Sequence, residues 1–301
     1  MLYLVFSVLL SVALLLNFRL FPRFGINTAQ AIALNYPVCF ITGWLLLPAG
    51  QSVIFDLSQT WTWLALGLGI GFIVTFLLSG ASTQRNGITA TSLANNLSLV
   101  IPVLFNLLVF GTATKFDWLN YAGLGLAVAA VGLSAVRPDD KDDESATRRA
   151  GNWLPIAVFL CYGFTNTLIN YMNLRYIPSP DKTVVVTLTM VLGAVLGGVL
   201  LLAWRWFRQG ERIESRNLVA AVTLGVPNFL SFYTLLLALS AFGGNGAFVY
   251  PVYNIGVILV AAGVAGVFFR EKLMTINKIG LALAVLAIGL LSWQALAALW
   301  Q

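Results

Sequence analysis

The sequence predicts an all-helical integral membrane protein, with ten transmembrane helices arranged as two inverted five-helix repeats. Three observations carry this expectation. Hydrophobic residues make up 59% of the 301-residue chain and charged residues only 9%, whereas a soluble domain has roughly 25% charged residues. The apolar residues gather into ten runs, each long enough to cross a bilayer. Stretches of the first half also recur in the second at a nearly constant spacing.

A spanning helix needs about 20 mostly apolar residues, and the ten runs lie at roughly 3–21, 29–48, 60–81, 88–110, 117–136, 153–176, 184–206, 217–241, 246–268 and 273–297. Short alternating segments, the mark of a membrane β-barrel, are not what these runs show. The first run has no Lys or Arg before it and no small-residue cleavage site after it, so it reads as a retained helix and not a removed signal. Trp61, Trp63, Trp118, Trp153, Trp204, Trp206 and Trp293 fall near predicted helix ends, as interfacial anchors do. Glycines inside the runs, such as Gly67, Gly69, Gly193 and Gly197, allow the close helix approach that drives association in lipid.

The longest polar interruption, "RPDDKDDESATRR" at 137–149, is dense in charge and reads as a solvated linker. It divides the chain into a first five-helix repeat (1–136), a linker (137–152) and a second repeat (153–301). The halves match at three anchors. "NFRLFP" at 17–22 returns as "NLRYIP" at 173–178, offset by 156 residues. Ser92, Asn95 and Asn96 correspond to Tyr250, Tyr253 and Asn254 at an offset of 158. "NYAGLGLAVAAVGL" from Asn120 aligns with "NKIGLALAVLAIGL" from Asn277 at an offset of 157. Five is odd, so the second copy enters the membrane from the opposite side. Such a pair is related by a pseudo-two-fold axis in the membrane plane, an architecture associated with alternating access.

Two such repeats, each closing on a glycine-spaced helix, resemble the drug/metabolite transporter superfamily, in particular its ten-helix EamA-type members. "SLVIPVLFNLLVFG", with Pro102, is similar to that family's fourth helix, and "FFREKLMTINKIGLALAVLAIGL" to its Glu-containing turn and last helix. The first half departs from the pattern, with Thr114 where Glu271 has its counterpart. The unpaired glutamate therefore points to local structure and not to catalysis. The resemblance implies a secondary carrier in a bacterial inner membrane, commonly an exporter of small metabolites, with a central cavity between the halves.

Polar side chains within spans are costly unless satisfied, about 2–7 kcal/mol for an unpaired amide in hydrocarbon. They belong against other helices or in a wet cavity. The sharpest stripe is Tyr162, Asn166 and Asn170, continued towards the helix end by Asn173, all within about 80° of one helix face. Ser92, Asn95 and Asn96 form a second candidate face, and Tyr250, Tyr253 and Asn254 a third, each with i, i+3, i+4 spacing. Asn228 is a further candidate, with Asn35 and Ser231 behind it. Asparagine supplies both donors and acceptors, which suits polar neutral or zwitterionic solutes such as amino acids. Arg19 and Arg175 are expected to snorkel to the interface.

The absences narrow the function. There is no histidine, and Cys39 and Cys161 lie apart within apolar runs. No metal, cofactor or disulfide framework is expected. No nucleophile–base or metal constellation points to an enzyme. None of Asp56, Asp117, Asp181 or Glu271 falls at a span centre, which disfavours a proton antiporter built on a midplane carboxylate; proton or sodium coupling stays open. The net charge of +6 reads as topology signals and lipid-headgroup contacts, not a nucleic-acid footprint. If the N-terminus were inside, the inward loops would hold only Lys115, Arg175 and Lys182 of the 17 basic residues. The charge rule thus favours termini outside, while the resemblance implies cytoplasmic termini. The leading expectation is an exporter of a small polar metabolite. A flippase for a lipid-linked sugar or phospholipid is the alternative within transport, and a receptor or scaffold the alternative outside it.

Overall fold

The computed structural model describes residues 1–47, 57–105, 117–134, 136, 153–176, 183–243, 245–271 and 273–297. Every regular element among them is helical. In chain order they are α1 (Leu2–Leu20), a 3-10 turn (Phe21–Phe24), α2 (Thr28–Leu45), α3 (Thr60–Asn86), α4 (Ile88–Leu97) and α5 (Val100–Phe105). There follow α6 (Trp118–Ser134), α7 (Leu154–Tyr176), α8 (Thr183–Gln209), α9 (Ser215–Ala241), α10 (Gly246–Phe269), α11 (Thr275–Leu291) and α12 (Trp293–Ala297). The linker, Thr114 and Pro178 lie outside the described residues.

By length and composition six stretches can cross a membrane: Leu2–Phe24, Thr60–Asn86, Ile88–Phe105, Val184–Gln209, Ser215–Ala241 and Phe248–Phe269. The protein is a multi-pass membrane protein. Helices α6 and α11 are equally apolar in character but only 17 residues long. Helices α2 and α7, also expected as spans, are more polar and do not reach that standard. The expected fourth span, 88–110, is broken: α4 stops at Leu97 and α5 begins at Val100. Pro102 explains the break. It has no N–H for the carbonyl of Ser98 and crowds it, so Ser98 O accepts from Ile101 N instead, at 3.0 Å.

The described helices form two compact units, and each draws on both halves of the sequence. One comprises Met1–Arg19, Leu78–Phe164 and Ser231–Gln301; the other comprises Leu20–Leu77 and Thr165–Leu230.

In the first unit the most extensive helix pair is α6 with α11. Its contacts are reciprocal. Asn120, at the start of α6, donates to Leu290 O and Leu291 O at the end of α11, both at 3.2 Å. Asn277, at the start of α11, donates to Leu133 O (3.0 Å) and Val136 O (2.9 Å) at the end of α6. Each asparagine also accepts from the backbone N–H three residues before it, Asp117 N for Asn120 and Met274 N for Asn277. The pair is therefore antiparallel, each end sealing the other's unpaired carbonyls. One turn further in from each asparagine, Gly123 lies against Ala287 O and Gly280 against Ala130 O, where an added Cβ would sit tightly at 3.1 and 3.2 Å. Asp117 completes one end: its carboxylate caps α6 through Leu119 N and Asn120 N and accepts the Trp293 indole N–H at 3.0 Å.

The rest of this unit is built on α4. Leu93, Leu97 and Val100 pack with Ala127, Val131, Ile258 and Ala284, and Ile88 packs with Val12, Leu15, Val257 and Ala261. The N-terminus of α4 carries four orphan N–H groups, and Gly87 before it has no side chain to cap them. Gly87 adopts φ +94°, open to glycine alone in practice, and a Cβ there would meet the Glu271 carboxylate at 2.8 Å. Glu271 does the capping from a distance, accepting from Ile88 N at 2.8 Å and from the Thr89 hydroxyl at 3.2 Å. At α10 the position one repeat later is Asn245, which caps its own helix through Phe248 N. Replacing Glu271 by Ala should cost about 0.5–2 kcal/mol, the usual loss of a helix cap. Glu271→Gln, which keeps an acceptor oxygen, should lose less; thermal unfolding in detergent measures both.

Arg19 departs from the expected snorkel. Its guanidinium donates to Gln84 O at 2.7 Å and Thr83 O at 3.4 Å, closing the last turn of α3, while the Gln84 amide returns a bond to Phe18 O. A cation at a helix C-terminus is also favoured by the helix dipole. Arg175 is exposed.

In the second unit α2 packs along α8, and α3 meets α8 at two glycines. A Cβ on Gly69 would fall onto Met190 O and within 2.5 Å of Ala194 N, and one on Gly193 onto Leu66 O. Around this crossing Ala65, Leu68, Met172, Val186 and Met190 form the core. The loop after α8 clamps the start of α2. Glu211 accepts from the Arg205 guanidinium at 2.6 and 2.8 Å and from the Asn27 and Gln30 amides at 3.3 Å. The Arg205 bond, reinforced by those amides, holds the Glu211 carboxyl below the usual carboxylate range. Asn27 in turn caps α2 through Ala29 N and Gln30 N.

Candidate functional site

Helix α4 is buried at nine of its ten positions, and the tenth is Asn95. A leucine or alanine at that position would be unremarkable; an amide is costly unless water or a ligand reaches it. The side-chain amide of Asn95 makes no hydrogen bond with the described residues, whereas its backbone carbonyl accepts from the Ser98 hydroxyl at 2.5 Å at the helix break. On α10, which packs against α4, Asn254 is only 5% exposed and its amide likewise makes no hydrogen bond with the described residues. These two amides are candidate donors and acceptors of the first unit; the Asn86 amide, at the end of α3, is also buried without a partner among the described residues.

Their neighbours in sequence are committed. Asn96 donates to Ser92 O at 2.7 Å and the Ser92 hydroxyl to Thr89 O at 2.9 Å, both within α4. The Tyr253 hydroxyl shares a 2.7 Å hydrogen bond with Ser11 on α1. Tyr250 is 42% exposed, the most open of the three positions on α10. Tyr162 is half-buried and packs on the α4–α6–α11 core. Ser11 is not among the residues expected from sequence, although a signal existed: Ser7 and Ser11 sit four apart in the apolar first part of α1. Ser7 is fully buried and donates to Ser231 O at 2.7 Å.

The second unit holds the other candidates. Asn228 donates to Asn35 Oδ1 at 2.9 Å, and the Cys39 thiol donates to the same oxygen and to Gly225 O. Asn35 donates in turn to Ile32 O. This network ties α2 to α9 and engages the Asn228 amide. Asn166 and Asn170 are half-buried on α7. The two triplets Ser92/Asn95/Asn96 and Tyr250/Tyr253/Asn254 lie on packed helices of one unit. The Tyr162/Asn166/Asn170 stripe does not fall within one unit: Tyr162 belongs to the first, and both asparagines to the second.

No family model matches the chain. It is similar to an uncharacterized protein of Haemophilus influenzae, with 24% identity over 291 residues and 95% of each chain covered. The crystal structure of a protein matches with a TM-score of 0.58 at 16% identity, over 97% of this chain and 98% of the other. That likeness shows a shared fold along nearly the whole length.

Proposed function

We propose that this protein is a secondary carrier that exports small polar metabolites, amino acids among them, by alternating access through a cavity between two inverted repeats. The observation that carries the reading is Asn95. A helix otherwise buried on every side keeps one accessible residue, and that residue is a bare amide just before the helix breaks. Discontinuous helices beside polar groups are how carriers expose backbone and side-chain partners to a solute within a membrane. The reciprocal contacts of α6 and α11 support the inverted duplication. Residues 157 apart (Asn120 and Asn277, Leu133 and Leu290, Ala130 and Ala287) make the same contacts in both directions, as a two-fold axis across antiparallel helices requires. The sequence resemblance to EamA-type members of the drug/metabolite transporters agrees with this, and with a bacterial inner-membrane location. Amides with no partnering carboxylate favour neutral or zwitterionic cargo over cations.

The test is exchange in proteoliposomes loaded with a mixed metabolite pool and read by mass spectrometry. Saturable efflux of one polar solute class is the expected result. Absence of any solute flux under both pH and sodium gradients, with folded protein, would overturn the reading.

A further inference from the structure

The second unit carries a cavity of about 660 Å³ where α2, the end of α8 and the loop 210–214 meet. Its walls are mostly apolar, with Leu34, Val199, Leu202 and Trp206 prominent, and its polar end is formed by Gln30, Arg205, Glu211 and Arg212. This division into a long apolar body and a charged end suits an amphiphile better than a soluble metabolite. The position agrees: α8 is a membrane-crossing stretch by length and composition. Its last turns expose Trp204, Trp206 and Phe207, the aromatic belt found at headgroup level.

The charge at the polar end is decided by pairing. Glu211 is fully engaged by Arg205, Gln30 and Asn27, so it offers no free anion to the cavity. Gln30 is engaged as well, with its amide on Arg212 O and its carbonyl oxygen on the Asn217 amide. Arg212 is exposed, and its guanidinium has no partner among the described residues. Arg208, also exposed, stands one turn after Arg205 on the same helix. The uncompensated charge is therefore positive, the complement of a phosphate ester.

We propose that this groove is a binding site for an anionic phospholipid, with its phosphate on Arg212, reinforced by Arg208, and an acyl chain along Leu34, Val199 and Leu202. Binding here needs no transport to be tested. The full-length protein is reconstituted with phosphatidylglycerol and phosphatidylcholine of matched chains, and retained lipid is counted by native mass spectrometry. Phosphatidylglycerol should be retained preferentially. The preference should fall about fivefold for each arginine lost in Arg208→Gln and Arg212→Gln, and survive in Arg212→Lys. Both arginines are exposed, so these changes leave the fold intact. Ala203→Trp, which fills the groove, should lower retention of both lipids. Equal retention of the two lipids by the native protein would overturn the proposal, as would a preference unchanged in the double arginine variant. Displacement of the lipid by water-soluble glycerol phosphate at equal concentration would also overturn it, because the apolar walls would then contribute nothing.

Discussion

Replacing Gly69 or Gly193 with alanine is expected to destabilise the protein more than any other single-methyl change. At both positions the added Cβ meets backbone of the facing helix: Met190 O and Ala194 N for Gly69, and Leu66 O for Gly193. A side chain can rotate away from such a clash; a helix backbone can only move as a body. Small residues are what permit this approach, and packing is the main force between helices in lipid. Overpacking costs about 1–3 kcal/mol where neighbours can yield, and these sites belong at the upper end of that range. A fall of at least about 5 °C in the unfolding temperature is expected for either variant. Gly67, two residues from Gly69 on the same helix, has nothing within 4 Å of its added Cβ and is the control. Gly67→Ala should unfold within about 2 °C of the native protein. If Gly69→Ala and Gly67→Ala unfold together, the α3–α8 crossing described above is wrong.

The second large effect is expected at the paired asparagines. Asn120 is 2% and Asn277 8% exposed, and each satisfies two carbonyls of the neighbouring helix and one N–H of its own turn. Leucine fills a similar volume but leaves those groups unpaired, at about 1–3 kcal/mol for each buried group left bare. Asn120→Leu and Asn277→Leu should each lower stability by a comparable amount. The two sites cap opposite ends of one helix pair, so the double variant should lose close to the sum. Denaturation in mild detergent, followed by tryptophan fluorescence, measures all three. A silent change at one site beside a large loss at the other would contradict the reciprocal arrangement.

The helices themselves were legible because hydropathy is local. Runs of apolar residues bounded by Asn, Pro and Trp marked ten segments, and helices stand in each of them. The repeat alignment also matches Asn120 with Asn277. Their task was not legible, because capping the far end of another helix depends on a partner 141 to 171 residues away. Arg19 and Glu271 fail for the same reason. Each sits at a helix end, where snorkelling or an interfacial turn is the local expectation, and each instead closes the terminus of a helix distant in sequence. The break at Ser98 was half-visible in Pro102, but a proline alone does not say whether a helix kinks or stops. At the candidate site, i, i+3, i+4 spacing marked the two helix faces that pack in the first unit. Spacing could not separate Asn95, whose amide is bare, from Asn96, whose amide turns back onto its own helix. Nor could it foresee that Asn228 would be spent on Asn35.

We propose that the Asn95 and Asn254 amides receive the transported solute. The most direct test is saturable exchange in proteoliposomes of the solute class that the native protein selects, repeated with Asn95→Leu and Asn254→Leu after each is shown to fold. Both variants should lose exchange by at least about tenfold, the equivalent of about 1.4 kcal/mol of lost binding, with unfolding temperatures close to native. Exchange that persists at native rates in both folded variants would contradict it.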